Sequence, residues 1–398
     1  MNAGKRVWRK RGDDAMAWKK PLTWAAAVTA TLGLGLAGCA TEDTADNSAP
    51  EGSAAKESAP KGGTPATPAG SPTAKDPLGE VKKNSDAGEV IDVSQIGLDP
   101  KTKQVAALSA STLRIGTLTE LSGEGEAKKI DVPEKCTTIT PSADGVMLAC
   151  EGELYEYGTD GKQLKKYSVD GTPTVATATT DGRVFVGFKG SNKLNYYSPS
   201  GDQLGESESI VVSRSLDDLV HVNNEHGEER LAVIDRDQTS ITDIDLATNG
   251  PRGALRIGQG VGLTSVGRGD QGIFIAADTV QDQFQVFTLN DVVRQVQAAP
   301  TGKSPWAVLW DGKRQIAWVS TTGDNKVTGY RIDSGTPIQV ASFDSIANVR
   351  HILDSPGGDM LLFGADGTTQ QVSAADLDAA VERGVPGAED FPVIHEDQ

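Results

Sequence analysis

Apolar residues in this chain come in short runs, not at helical spacing. The clearest stretch is 305–334, where 307–310 (AVLW), 315–319 (QIAWV) and 326–332 (KVTGYRI) read as three strands. Asp311-Gly312-Lys313 and Gly323-Asp324-Asn325 separate them. Runs of four to seven apolar and β-branched residues cut by Asp-Gly or Gly-Asp-Asn are hairpin chemistry, because those turn residues reach backbone angles that others resist. No window here carries a 3.6-residue period. A three-stranded unit cannot bury both of its faces alone, so copies of it are expected as neighbours.

Weaker copies are present. Residues 174–204 and 137–164 repeat the order strand, Asp-Gly, strand, turn, strand. Further units turn near Asp99-Pro100, Asp217-Asp218, Asp270-Gln271-Gly272 and Gly357-Gly358-Asp359. Taking Asp99, Asp144, Asp181, Asp217, Asp270, Asp311 and Asp359 as equivalent gives steps of 45, 37, 36, 53, 41 and 48 residues. Propeller repeats run to ~40–50 residues. The expected fold is all-β, a seven-bladed β-propeller over 89–372, with six or eight blades or tandem β-sandwiches as alternatives. A ring needs closure to remove its open edges. Residues 90–96 are the expected closing strand, paired with the sheet formed by 349–372. After the ring, Ser373-Ala-Ala-Asp376 opens a short helix over 373–384 with Leu377, Ala380 and Val381 as its apolar stripe, and 385–398 forms a tail.

Residues 305–334 resemble a repeat of the YVTN/YncE-type β-propellers. They show Pro, a strand, Asp-Gly-Lys, a strand ending Val-Ser-Thr, Gly-Asp-Asn-Lys-Val and a final Tyr-Arg-Ile-Asp. Elsewhere only turn positions and alternation persist. The whole layout also resembles secreted propeller lipoproteins of actinobacteria. That likeness implies a fold and a compartment, and no substrate.

The N-terminal region changes the picture from a bare domain to a tethered one. Residues 1–38 read as a lipoprotein signal peptide, with Met16 the expected translation start. Lys19 and Lys20 precede an apolar run over 22–36, shorter than the ~20 residues of a membrane span. It ends Leu36-Ala37-Gly38-Cys39, a lipobox whose Cys39 would carry palmitate-type acyl chains. Two or more such chains anchor stably. Residues 39–88 are rich in Ala, Ser, Thr, Pro, Gly and acids and are expected to be a disordered tether. The expected location is the outer face of the plasma membrane.

Charge and cysteine use agree with that compartment. From Cys39 onward, 31 basic side chains stand against 53 acidic ones, a net −22. Such a balance argues against nucleic acid as a partner. Cys136 and Cys150 flank the Asp144-Gly145 turn symmetrically, which places them opposite each other on an antiparallel pair. A Cys136–Cys150 disulfide is expected, worth about 3 kcal/mol for so short a loop.

Candidate chemistry is sparse. His221, Glu225 and His226 match no metal-ligand spacing and read as a hairpin region. Asp235, Asp237, Asp243 and Asp245 alternate as on a solvated strand face. The glycine-rich segment holding Arg252, Arg256 and Arg268 is a candidate binding loop, and Trp306 a candidate ligand platform at the central opening. There is no Gly-x-Ser-x-Gly elbow, His-Glu-x-x-His or phosphate loop. No catalytic residue, metal or cofactor is assigned. The expectation is a monomeric binding or scaffold module for an envelope protein or glycan. The alternative is a lactonase- or quinoprotein-like enzyme with its site at the central opening.

Overall fold

A computed structural model describes residues 65–83, 89–265 and 271–385. Cys39, the signal peptide with Met16, Arg268 and the tail from 386 lie outside the described residues. Seven four-stranded antiparallel sheets follow one another along the described residues, so the fold is a seven-bladed β-propeller, with two helices among the described residues. The blades span 90–131, 136–168, 173–211, 218–256, 261–300, 305–344 and 349–372. Among the described residues no helix is long and apolar enough to cross a membrane.

The unbroken apolar runs follow from the way blades stack. In the second strand of blade 2, Gly145–Cys150, Val146 and Leu148 join Leu108, Leu113 and Ile115 of blade 1. Met147 and Ala149 from the same strand join Val184 and Val186 of blade 3. Such a strand is buried on both faces, so period-2 alternation vanishes and the run turns wholly apolar, as in sheets covered on both sides. Among the described residues, seven apolar clusters fill the seven gaps between neighbouring blades.

Closure differs from the sequence expectation. The fourth strand of blade 7 is Glu80–Lys83, paired antiparallel with Thr368–Val372 from Glu80↔Gln371 to Lys83↔Thr368. Val90–Gln95, expected in that role, is the innermost strand of blade 1. Burial gives the reason. Val90 and Ile96 are buried, as an inner strand demands, whereas Glu80, Lys82 and Lys83 are polar and Val81 is 43% exposed on an outer edge.

Ahead of this strand, residues 65–78 lie against blades 5 to 7, although composition assigned them to the tether. Ala66 packs in the cluster that holds Trp306. The Ala69 amide donates to Ser304 Oγ (2.9 Å) and the Ser71 amide to Asn348 Oδ1 (3.1 Å). Ser71 Oγ donates to the Thr322 carbonyl (2.8 Å), and Asn325 Nδ2 to the Pro72 carbonyl (2.8 Å). The Leu78 amide donates to the Asp344 carbonyl (3.0 Å). Ala, Ser and Pro suit this strap because small residues fit shallow grooves between loops.

One turn was misassigned. Asp217 precedes the first strand of blade 4, Asp218–Asn223, and the equivalent turn is 224–227, ending at Gly227 with φ 75°. With Gly227 in place, the steps Gly182 to Gly227 and Gly227 to Gly272 are both 45 residues. The Cys136–Cys150 disulfide is present, joining register partners whose Cα atoms are 3.8 Å apart. The C-terminal helix spans Ala374–Arg383, capped by Ser373 and stopped at Gly384, and Leu377 and Ala380 bury against blades 6 and 7.

Candidate functional site

Six of the seven innermost strands begin with a register shift, between Val90/Asp92, Cys136/Thr138, Pro173/Val175, Val261/Thr264, Pro305/Val308 and Val349/His351. A bulge twists a strand and re-aims the side chain that follows it. Asp92, Thr264, Val308 and His351 each follow such a shift, and all four line the central channel together with Asp218. The space they enclose is about 100 Å³.

Electrostatics there follow from confinement. Asp92 keeps 23% of its side-chain surface open, but only to the narrow channel. Burial pushes its carboxyl up to about 7, with Asp218 adding to the rise and the Ile139 amide opposing it. Burial also raises Asp218, against the pull of the Arg236 guanidinium. Burial holds His351 down at about 4. His351 Nδ1 stands 3.9 Å from Asp92 Oδ1, beyond hydrogen-bond reach. A carboxyl poised near neutrality beside a neutral imidazole has the makings of an acid–base pair.

The same polar atoms sew the ring together. Asp92 Oδ1 accepts the Val93 amide (2.9 Å), and Oδ2 accepts the Ile139 amide of blade 2 (3.0 Å). Thr138 Oγ1 donates to the Thr174 carbonyl of blade 3 (2.6 Å), and Thr174 Oγ1 to the Leu216 carbonyl ahead of blade 4 (2.5 Å). Thr264 Oγ1 of blade 5 donates to Asp218 Oδ2 of blade 4 (3.0 Å). Thr279 Oγ1 of blade 5 donates to the Pro305 carbonyl of blade 6 (2.7 Å). Buried polar groups cost free energy unless partnered, and apart from the Val93 amide each partner named here belongs to the next blade or the segment leading into it.

The sequence candidates do not converge on this channel. Trp306 is nine-tenths buried, with Ala66 of the strap in its cluster and the Arg236 guanidinium 6.0 Å from its ring centroid. Arg252 and Arg256 lie exposed on the outermost strand of blade 4, Gly250–Arg256. Arg252 bonds the Asp291 carbonyl (2.9 Å) and pairs with Asp245 (3.2 Å), while Arg256 bonds the Gly258 carbonyl (3.1 Å). No hydrogen bond or ion pair joins either arginine to Trp306 among the described residues.

Two other clusters turn out to be structural. His221 is buried between blades 3 and 4, with Nδ1 2.8 Å from Thr177 Oγ1 and Nε2 2.7 Å from Glu229 Oε1. The order hydroxyl–imidazole–carboxylate resembles a hydrolytic triad. Thr177 is fully buried, however, and its hydroxyl donates to the Pro141 carbonyl (2.7 Å). Asp235 and Asp243 are fully buried, not solvated as expected. Asp235 accepts the Arg214 and Gln238 amides, and Asp243 pairs with buried Arg230 (2.9 Å). Both sit in strands covered on two faces, which alternation alone could not reveal. Among the described residues no group of three or more His, Cys, Asp or Glu is placed to hold a metal.

Asp92, Asp218, Thr264 and His351 were missed. Each lies on the innermost strand of its blade, and superposing seven correctly phased repeats would have placed them on one ring.

No family model matches the chain, and no curated protein matches it. Solved structures match in fold. The chain is similar to a chain in the crystal structure of the Mitotic Checkpoint Complex, at 13% identity and TM-score 0.56, over 80% of this chain and 97% of that one. It is similar to a chain of Kuenenia stuttgartiensis hydrazine synthase, at 10% identity and TM-score 0.55, over 74% and 97%. It is also similar to the β-propeller domain of Myceliophteria_thermophila Cps50 (Swd1), at 12% identity and TM-score 0.56, over 74% and 99%. At such identities the likeness establishes the propeller fold and assigns no ligand.

Proposed function

We propose that this chain is a binding module, anchored by acylated Cys39 at the outer face of the plasma membrane, that presents its propeller to an envelope protein or glycan. One observation carries the binding reading. The channel carboxylates Asp92 and Asp218 are committed to neighbouring blades, and the space between them is about 100 Å³. Small-molecule sites usually need ~300–1,000 Å³. The propeller's recognition surface then lies on its loops and rims, as for other folds that hold loops on a rigid scaffold.

The tethered location rests on the lipobox at Leu36 to Cys39 and on the resemblance of the whole layout to secreted propeller lipoproteins of actinobacteria. The strap supports an orientation. The strap of 65–78 meets the face built from loops 301–304, 322–325 and 345–348. That face would turn toward the membrane. The opposite face, with turns 142–144, 179–182 and 224–227, would point to the partner.

The test uses intact cells. Cys39→Ala should move the protein from the membrane fraction to the medium, with the propeller still folded. Crosslinking of the anchored form should capture an envelope protein or glycan that survives chelation. A protein that stays in the membrane fraction after Cys39→Ala would end the anchoring part of the reading. The acid–base character of Asp92 beside His351 favours the second reading, a lactonase- or quinoprotein-like enzyme. A divalent ion or quinone co-purifying with the protein would favour that reading instead.

A further inference from the structure

A second cavity, of about 450 Å³, opens in blade 1 between the strand Thr112–Gly116 and the loop that follows the short helix Leu118–Leu121. Its size is in the range of ligand sites, unlike the central channel. Arg114, Glu120, Glu126 and Lys129 line it together with Gly123 and Gly125. The loop carrying those glycines is held to the closing strand by Lys82 Nζ on Glu124 Oε1 at 2.8 Å.

Arg114 sits in the middle of the strand Thr112–Gly116 and is 4% exposed. Its Nε and Nη2 hydrogens meet no acceptor, and it forms no ion pair among the described residues. Those two nitrogens share the guanidinium edge that grips a carboxylate or phosphate in a fork. Leaving a buried charge uncompensated is among the costliest arrangements a fold can keep.

A second observation is independent of the first. Arg114 pairs in register with Lys129 on the strand Lys128–Asp131. Directly opposed cross-strand residues share a face, and like charges there repel. On the other side Arg114 faces Ala107. Ala107 belongs to the apolar cluster with Leu361 and Phe363 of blade 7, so the guanidinium lies beside a low-dielectric wall. Glu120, one of the two acids that line the cavity with Glu126, does not answer this charge. Glu120 Oε2 accepts the Thr117 amide (2.7 Å) and hydroxyl (3.1 Å), closing the cap of the short helix Leu118–Leu121. Burial alone lowers the guanidinium from its usual range.

We propose that this cavity binds a small oxyanion, a carboxylate or a phosphate, between the guanidinium of Arg114 and the ammonium of Lys129. The site is separate from the surface reading given above and does not depend on it. It would couple anion binding to ring closure, because its walls come from blade 1 and from the loop clamped to the strand that shuts blade 7.

The experiment uses the full mature chain at constant ionic strength, with chloride as the balancing ion. Inorganic phosphate and acetate are titrated separately, reading calorimetric binding and the thermal midpoint. The expected result is saturable binding of at least one anion with a rise in midpoint of several degrees. Response to phosphate alone identifies a tetrahedral ligand; response to acetate identifies a carboxylate. Arg114→Met should abolish the response and leave the anion-free protein as stable or more stable, since it removes an unpaired buried charge. Lys129→Gln, at an exposed position that cannot threaten folding, should weaken binding about tenfold. Absence of saturable binding for both anions overturns the proposal. So does an unchanged response in Lys129→Gln together with a destabilised Arg114→Met.

Discussion

Asp92 and His351 share one channel and titrate in opposite senses across one pH window. The folded Asp92 carboxyl holds its proton up to about 7, against ~3.9 in an unfolded chain. Its contribution to stability is present at low pH and is lost as pH rises from ~4 toward 7. The folded His351 ring stays neutral down to about 4, against ~6.5 unfolded. Its contribution is present above ~6.5 and is lost as pH falls toward 4. Between those limits the slopes oppose, so the wild-type protein should show a shallow dependence. Each unit of separation is worth ~1.4 kcal/mol, reduced by water in the channel. Asp92→Asn leaves the histidine slope exposed, and its stability should climb by ~1–3 kcal/mol from pH 4.5 to 6.5. His351→Gln leaves the aspartate slope, and its stability should fall by a similar amount. Urea unfolding of the three proteins at both pH values measures this. Parallel pH slopes in the two variants would remove the pair from the account.

At the scale of the element, the closing strand Glu80–Lys83 covers the edge of Thr368–Val372, and the strap over 65–78 holds it in place. An uncovered edge strand is a template for pairing between chains. A chain beginning at Pro65 should therefore match the mature protein in stability. A chain beginning at Glu89 should lose several kcal/mol and form oligomers on size exclusion. Equal behaviour of the two truncations would show that closure comes from elsewhere. This element also marks the limit of what the sequence disclosed. Blade number, the buried central strands, the disulfide and the terminal helix were legible, because apolar runs, turn glycines and a symmetric cysteine pair each have one local cause. The closing strand was not, because EVKK has no local signal. An outer edge strand needs only backbone partners, so its composition can match that of a linker. The channel residues were hidden for a related reason. Asp92 and His351 meet only when blade 7 is brought beside blade 1, and the turn chosen at Asp217 put blade 4 out of phase. Trp306 shows the same limit, since Ala66 of the strap shares its cluster although the two lie far apart in the sequence.

The propeller is a ring in which no blade owns its core. Gly145–Cys150 divides its apolar side chains between blades 1 and 3, and every other gap is filled from two sides in the same manner. Open repeat arrays lose units from their ends, because each repeat touches only its neighbours and the ends lack one. A closed ring has no end, so opening one blade exposes the apolar faces of two others. Closure should therefore make all seven blades unfold in one transition. The chain carries its own reporters for this. The tryptophans at 306, 310 and 318 all belong to blade 6, and the Cys136–Cys150 bond belongs to blade 2. Reducing that bond releases a loop closed over a sequence separation of 14, which should cost about 3 kcal/mol. In a cooperative ring, tryptophan fluorescence and far-UV circular dichroism should shift together to the same lower urea midpoint. If the units were independent, fluorescence would keep its midpoint while part of the dichroism change moved ahead of it. The coincidence of the two curves after reduction thus decides whether a local bond in one blade stabilises the whole circle.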